Sequence, residues 1–335
     1  MSLSIHSPDE LIAALPHLLG FKPEESLIFV PMRPDLPLVR VDLPTTARAR
    51  EGVWGAVCDA FRRHAQPGAG TAIVCVTHDR HYSKQLSQEF TARLSNIGID
   101  APLRLWADDS HWCDLVTGQS GLQSDDTRNR IAAATVLNGQ PRPATSRSSL
   151  AASLVGDREP ITRLLAHARA AIKTSTPRAE TAWAQARAQL FHRNGVRLND
   201  NDAARLLVGI ESIAARDCLW EGITRSTAPS HVALWRDMTR RAPDEVRTAP
   251  AALLGFASWL DGDGAMAWCA LDQIPGGKPY ALADLVEAAV QGGVHPREWE
   301  EATRRAAVFG TDRSSDFTNR RTVAGHDSIS PTHGI

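Results

Sequence analysis

Along the first 140 residues, short and almost wholly apolar runs alternate with stretches of helical periodicity. Ser7-Pro8-Asp9-Glu10 reads as a helix start, with Ser7 as the cap, Pro8 in the first turn and Glu10 at the capping-box position. Pro16 cannot donate its backbone bond, so a kink or restart is expected there. Gly20 suits a left-handed cap, after which Phe21 can fold back on Leu11, Leu15 and Leu18. Two β-rich runs, Ser26 to Val30 and Leu38 to Leu43, flank the turn-forming Pro31 to Pro37 and predict a hairpin. From Thr46 to Gln66 the residues Val53, Trp54, Val57 and Phe61 recur at helical spacing. The run Thr71 to Thr77 then reads as a strand covered on both faces. A helix over Tyr82 to Asn96, strands at Leu103 to Trp106 and His111 to Val116, and a helix over Asp126 to Leu137 complete the pattern.

Helix and strand alternating in this way predict an α/β N-terminal domain with a mixed, partly parallel sheet, since parallel strands need a crossover element. It would span residues 1–140, with residues 141–149, rich in proline and hydroxyl groups, as a linker or surface connection. From 150 to 308 no strand is legible. Periodic stretches at 158–173, 179–193, 201–222, 230–241, 249–260, 264–273, 281–291 and 296–307 predict an all-α helical-hairpin domain. Leu254, Gly255, Ala267 and Pro279 fall at spacings shared with a tetratricopeptide helix pair, but Ile274 stands where a later alanine belongs and no fixed period recurs. An ordinary hairpin is expected there. Residues 309–335 read as a disordered tail.

Composition narrows the function classes without choosing one. The 335 residues are 43% apolar and 22% charged, the balance of a globular chain, and the net charge of −1 gives no global pull towards nucleic acid or anionic lipid. Only four of the 37 basic residues are lysine, the mark of a GC-rich genome. The five cysteines are widely spaced and odd in number, which fits a reducing cytoplasm and neither a disulfide framework nor a zinc ribbon. No export signal or membrane span is read in the chain.

The candidate chemistry is sparse. His78-Asp79-Arg80-His81 follows the strand 71–77, and ligands of open α/β sheets gather beyond the carboxyl ends of strands. An imidazole beside a carboxylate can move a proton, and Arg80 can hold an anion; a polar loop capping the next helix explains the same residues. Residues 142–205 carry eleven basic and five acidic side chains, and Arg163, Arg169 and Lys173, with His167, share one helix face that could meet phosphates or simply face solvent. Arg216 and Asp217 read as structural ion pairs that anchor neighbouring helices, because adjacent residues point about 100° apart on a helix and need not pair with each other. The nine tryptophans sit mostly in apolar periodic windows and read as packing. No phosphate loop, serine elbow or metal-ligand spacing is present, so no catalytic residue, cofactor or metal is expected.

The blocks Leu15-Pro-His-Leu-Leu-Gly-Phe-Lys-Pro-Glu-Glu-Ser-Leu27, Arg40-Val-Asp-Leu-Pro44, Arg216-Asp217 and Trp259-Leu-Asp-Gly-Asp-Gly-Ala265 resemble the actinobacterial family known as domain of unknown function four-one-nine-two. The resemblance runs from about residue 5 to residue 300 and implies a bacterial, cytoplasmic protein with no assigned activity. Members often carry cysteines after the strand matching His111 to Leu115; here only Cys113 is nearby, so no metal ligand carries over. The expected function is that of a non-catalytic cytoplasmic interaction or scaffold protein with a protein partner and no membrane role. One alternative is an enzyme or small-anion binder using the 78–81 loop, and another is a nucleic-acid-associated protein using 142–205.

Overall fold

The computed structural model describes residues 5–33, 36–64, 66, 68–139, 141–276 and 279–305. Residues up to Val294 form one compact unit and His295–Ile335 a second, of whose described part residues 296–305 are helical. The tail expected from 309 lies outside the described residues.

The chain opens with α1 (Pro8–Leu19), whose start behaves as its sequence dictates. Ser7 Oγ accepts from the Glu10 amide, and the Glu10 carboxylate accepts from the His6 amide and from Arg130. The helix runs unbroken through Pro16, where the sequence predicts a kink. Pro16 lies in the last turn, so little of the ladder is lost, and buried Leu11, Leu15 and Leu19 anchor that face. Gly20 ends the helix at φ 75°.

A six-stranded mixed sheet follows: β1 (Ser26–Pro31), β2 (Val39–Asp42), β3 (Gly70–Val76), β4 (Asp100–Ala107), β5 (His111–Asp114) and β6 (Ser120–Leu122), in the order β2-β1-β3-β4-β5-β6. Only β3 and β4 are parallel, joined through α3 (Arg80–Ser95); every other pair is antiparallel. On one face α2 (Ala47–His64) and α3 bury Val57, Phe61, Leu86 and Phe90 against Leu27, Phe29, Ile73 and Cys75. Phe29 meets Phe61 edge-on at 5.8 Å and Phe90 at 5.6 Å. On α1, Ala13 and Ala14 meet Ile131 of α4 (Asp125–Leu137).

The helical half reads α5 (Arg147–Ala152), α6 (Glu159–Lys173), α7 (Pro177–Asn194), α8 (Asp200–Gly209), α9 (Ile213–Trp220), α10 (Ala228–Arg241), a single 3₁₀ turn (Asp244–Val246), α11 (Thr248–Leu260), α12 (Gly264–Leu271) and α13 (Ala281–Gln291). Where the sequence predicts one helix over 201–222 there are two. The first stops at Gly209-Ile210, and Ser212 begins the second. Gly255 lets α11 approach its neighbours, since a methyl there would meet Leu271 at 3.4 Å and the Ala267 carbonyl at 3.5 Å. The segment before α5 lies on the α/β part: Ala144 donates to the Gly20 carbonyl and accepts from Lys22. Among the described residues no helix is long and apolar enough to cross a membrane.

Candidate functional site

The loop after β3 places the four predicted residues in different jobs. Asp79 caps α3, its Oδ1 accepting from the Tyr82 amide at 2.8 Å. His81 Nε2 lies 2.9 Å from Gln85 Nε2 on the exposed side of the helix, and His78 is exposed. Arg80 alone turns onto the sheet. Its Nη2 donates to Cys113 Sγ at 2.9 Å, and its guanidinium lies 5.6 Å from the ring centroid of Trp106. Among the described residues no carboxylate pairs with it.

Arg80 walls a cleft of about 320 Å³ completed by Trp106, His111, Trp112, Ser120, Gly121 and Leu122. Register explains most of this lining, Trp112 and Gly121 being one position out of phase with the rest. Trp106, Cys113 and Ser120 stand side by side across β4, β5 and β6, and His111 pairs with Leu122 on the same face. The β4–β5 turn is fixed by Asp108, whose Oδ1 accepts from the amides of Ser110 and His111. Burial pushes the Asp108 carboxyl up, but those two amides and the His111 charge outweigh it and hold the group below its ordinary range. A side chain at Gly121 would crowd Trp112, its Cβ lying 3.2 Å from the indole nitrogen. The cleft lining holds one guanidinium and one imidazole and no carboxylate.

Strand β6 closes one edge of the sheet. The Asp114 amide donates to Gln119 and the Gln123 amide to Ser110, so the hydrogen-bonded pairs along this ladder are 114/119, 112/121 and 110/123. Alternation then turns the N–H and C=O of Ser120 and Leu122 away from β5, towards the open edge. The Leu122 side chain is 70% exposed. At the other edge, β2 carries Arg40 and Asp42, paired at 2.7 Å, and charge of this kind discourages edge pairing. β6 has no charged residue.

The remaining predicted residues take up separate positions. Arg163 pairs with Glu159 at 3.4 Å, and Arg169 with Glu245 at 3.1 Å and Glu211 at 3.8 Å. Lys173 is exposed at the end of α6. Arg216 and Asp217 bond to each other, although their neighbouring positions do not require it, and the Arg216 guanidinium lies 5.1 Å from the Tyr280 ring centroid. Arg216 is 9% exposed, so the pair ties α9 to the start of α13.

Two further features carry no periodic signal in the sequence. Glu25 holds φ at 38°, outside the usual range for its type, and its carboxylate accepts from Thr77 Oγ1 at 2.8 and 3.0 Å, beyond the end of β3. In the helical half the rings of His192 and His231 are tilted against each other with centroids 4.2 Å apart, and both ring nitrogens of His192 and Nδ1 of His231 are buried without a partner among the described residues. Among the described residues no group of three or more His, Cys, Asp or Glu converges as a metal site.

Comparison with curated proteins and with solved structures finds no match. A family model does match, over residues 8–297, and that span takes in the sheet, the cleft and the helices through α13. The chain therefore belongs to the family described as Domain of unknown function (DUF4192).

Proposed function

We propose that this protein is a non-catalytic cytoplasmic interaction protein and that a partner protein docks by laying an extended segment along β6. The observation that carries this reading is the open backbone of Ser120 and Leu122, beside an exposed leucine and on the edge without charged residues. Extended segments gain affinity from main-chain hydrogen bonds at such an edge and specificity from alternate side chains. The loop chemistry agrees with a binding role, since Asp79 is spent on a helix cap and His81 faces Gln85, away from Arg80's cleft. Five free cysteines support the cytoplasm. The arginine-for-lysine bias supports an actinobacterial source.

Peptide display against the full chain tests the docking edge. Selected peptides are expected to bind with Kd on the order of 1–100 μM. Leu122→Pro is expected to weaken them about tenfold, because it deletes an outward-facing donor while leaving the bonds to β5 in place. Leu122→Lys, which keeps the backbone and adds an edge charge, is expected to weaken them as well. Absence of any enriched peptide, or equal binding by both variants, overturns the reading. So does a self-associated chain that Leu122→Pro converts to monomer, since the occupant of β6 is then a second copy.

A further inference from the structure

We infer that the cleft beside β6 is a binding site for a small, flat aromatic carboxylate, held by Arg80. This goes beyond strand docking and rests mainly on other groups: the docking edge uses the outward backbone of β6, whereas the cleft uses Arg80 and side chains on one face of the sheet, with Leu122 common to both.

Arg80 is the first residue of α3, and its guanidinium is positioned from two sides, by the Cys113 sulfur at 2.9 Å and by the Trp106 ring beneath it. One N–H is spent on a weak acceptor. The other donors of the planar fork have no carboxylate among the described residues, whereas Arg93, Arg128, Arg169 and Arg205 each sit on Asp or Glu. An arginine pre-set on an indole face with its fork unpaired has already lost the side-chain freedom that anion capture would otherwise cost. The lining adds no negative charge to compete with a ligand, and His111 adds a second donor.

The shape narrows the ligand further. About 320 Å³ is at the small end for ligand sites, so a single ring with its carboxylate suits it better than a nucleotide. One face of the guanidinium is covered by Trp106, which leaves the other for a second flat group to stack on. Leu122, on the same face as Trp106 and Ser120, gives the apolar wall on which the far side of such a ring would rest. Capture is a binding step only, in which no bond is made or broken.

Benzoate and its neutral counterpart benzamide are the probes, followed by saturation-transfer NMR on the full chain. Benzoate is expected to bind with Kd on the order of 1 mM and benzamide about tenfold more weakly. Arg80→Ala is expected to weaken benzoate about tenfold and leave benzamide unchanged. Because that variant also removes the contact to Cys113, Ser120→Glu supplies a second arm with Arg80 in place. Position 120 is directly opposite Cys113, so a carboxylate there reaches the guanidinium and should abolish benzoate binding. Arg80→Ala also separates this site from strand docking, since it removes no backbone group of β6; display-selected peptides are expected to bind that variant within twofold of the unaltered chain even though benzoate binding is weakened. Equal binding of benzoate and benzamide, no saturable benzoate signal, or benzoate binding unaffected by both Arg80→Ala and Ser120→Glu overturns the inference.

Discussion

Replacing Phe29 by alanine is expected to cost about 3–5 kcal/mol of stability, read as a shift of the urea midpoint of the sheet-bearing unit. Phe29 has no exposed surface and sits where β1 meets both covering helices, edge-on to Phe61 and tilted against Phe90. Truncation forfeits the ring's transfer energy and leaves a void that three elements would have to collapse together to fill. Phe29→Leu retains most of the volume and is expected to cost less than half as much. Since whole domains are stable by only about 5–15 kcal/mol, the alanine variant should stand near the limit of folding at 37 °C. A midpoint shift no larger than that of an exposed substitution such as Leu137→Ala, whose side chain is 87% exposed, would mean that β1 is not the centre of this core.

Acid is expected to loosen the helical half before the sheet. Burial, reinforced by the charge of His192, pulls the His231 pKa from 6.5 down to about 4, with a hydrogen bond to the Gly222 backbone working the other way. Burial also lowers the pKa of His192. The folded state therefore prefers both rings neutral, while the unfolded chain takes up protons near pH 6.5. The sign follows: the contribution is intact above pH 6.5, is lost progressively as pH falls, and is gone below about 4. At about 1.4 kcal/mol per pH unit, His231 alone accounts for a loss on the order of 3 kcal/mol. Denaturation followed at steps between pH 7 and 4 should show this slope in the native chain and little of it in His231→Leu. An identical slope in that variant would assign the acid sensitivity to other groups.

Much of the fold was legible because local physics wrote it plainly. The Ser7 cap, the apolar Thr71 to Thr77 run and the Gly20 terminus each act within a few residues, and all three appear in the structure. Strand β6 was not legible. Three residues, Ser-Gly-Leu, are too few to show a period, and only pairing with β5 makes them a strand. The six-residue α5 escaped notice for a similar reason, its Ser-rich start reading as connection. In the site, the position of Arg80 after a buried strand pointed to the sheet end, but the partners that give it meaning lie 26 and 33 residues away in sequence, at Trp106 and Cys113. The His192–His231 contact was hidden likewise. Each histidine has ordinary helical surroundings in the sequence, and only the packing of α7 on α10 brings the rings together.

Amide hydrogen exchange at β6, with and without a display-selected peptide, tests the docking edge most directly. The free chain should exchange Ser120 and Leu122 quickly and Gly121 slowly, because only Gly121 bonds inward. On binding, Ser120 and Leu122 should gain protection of at least about tenfold. Slow exchange at those two amides in the free chain, or protection arising elsewhere while they stay fast, would contradict docking at this edge.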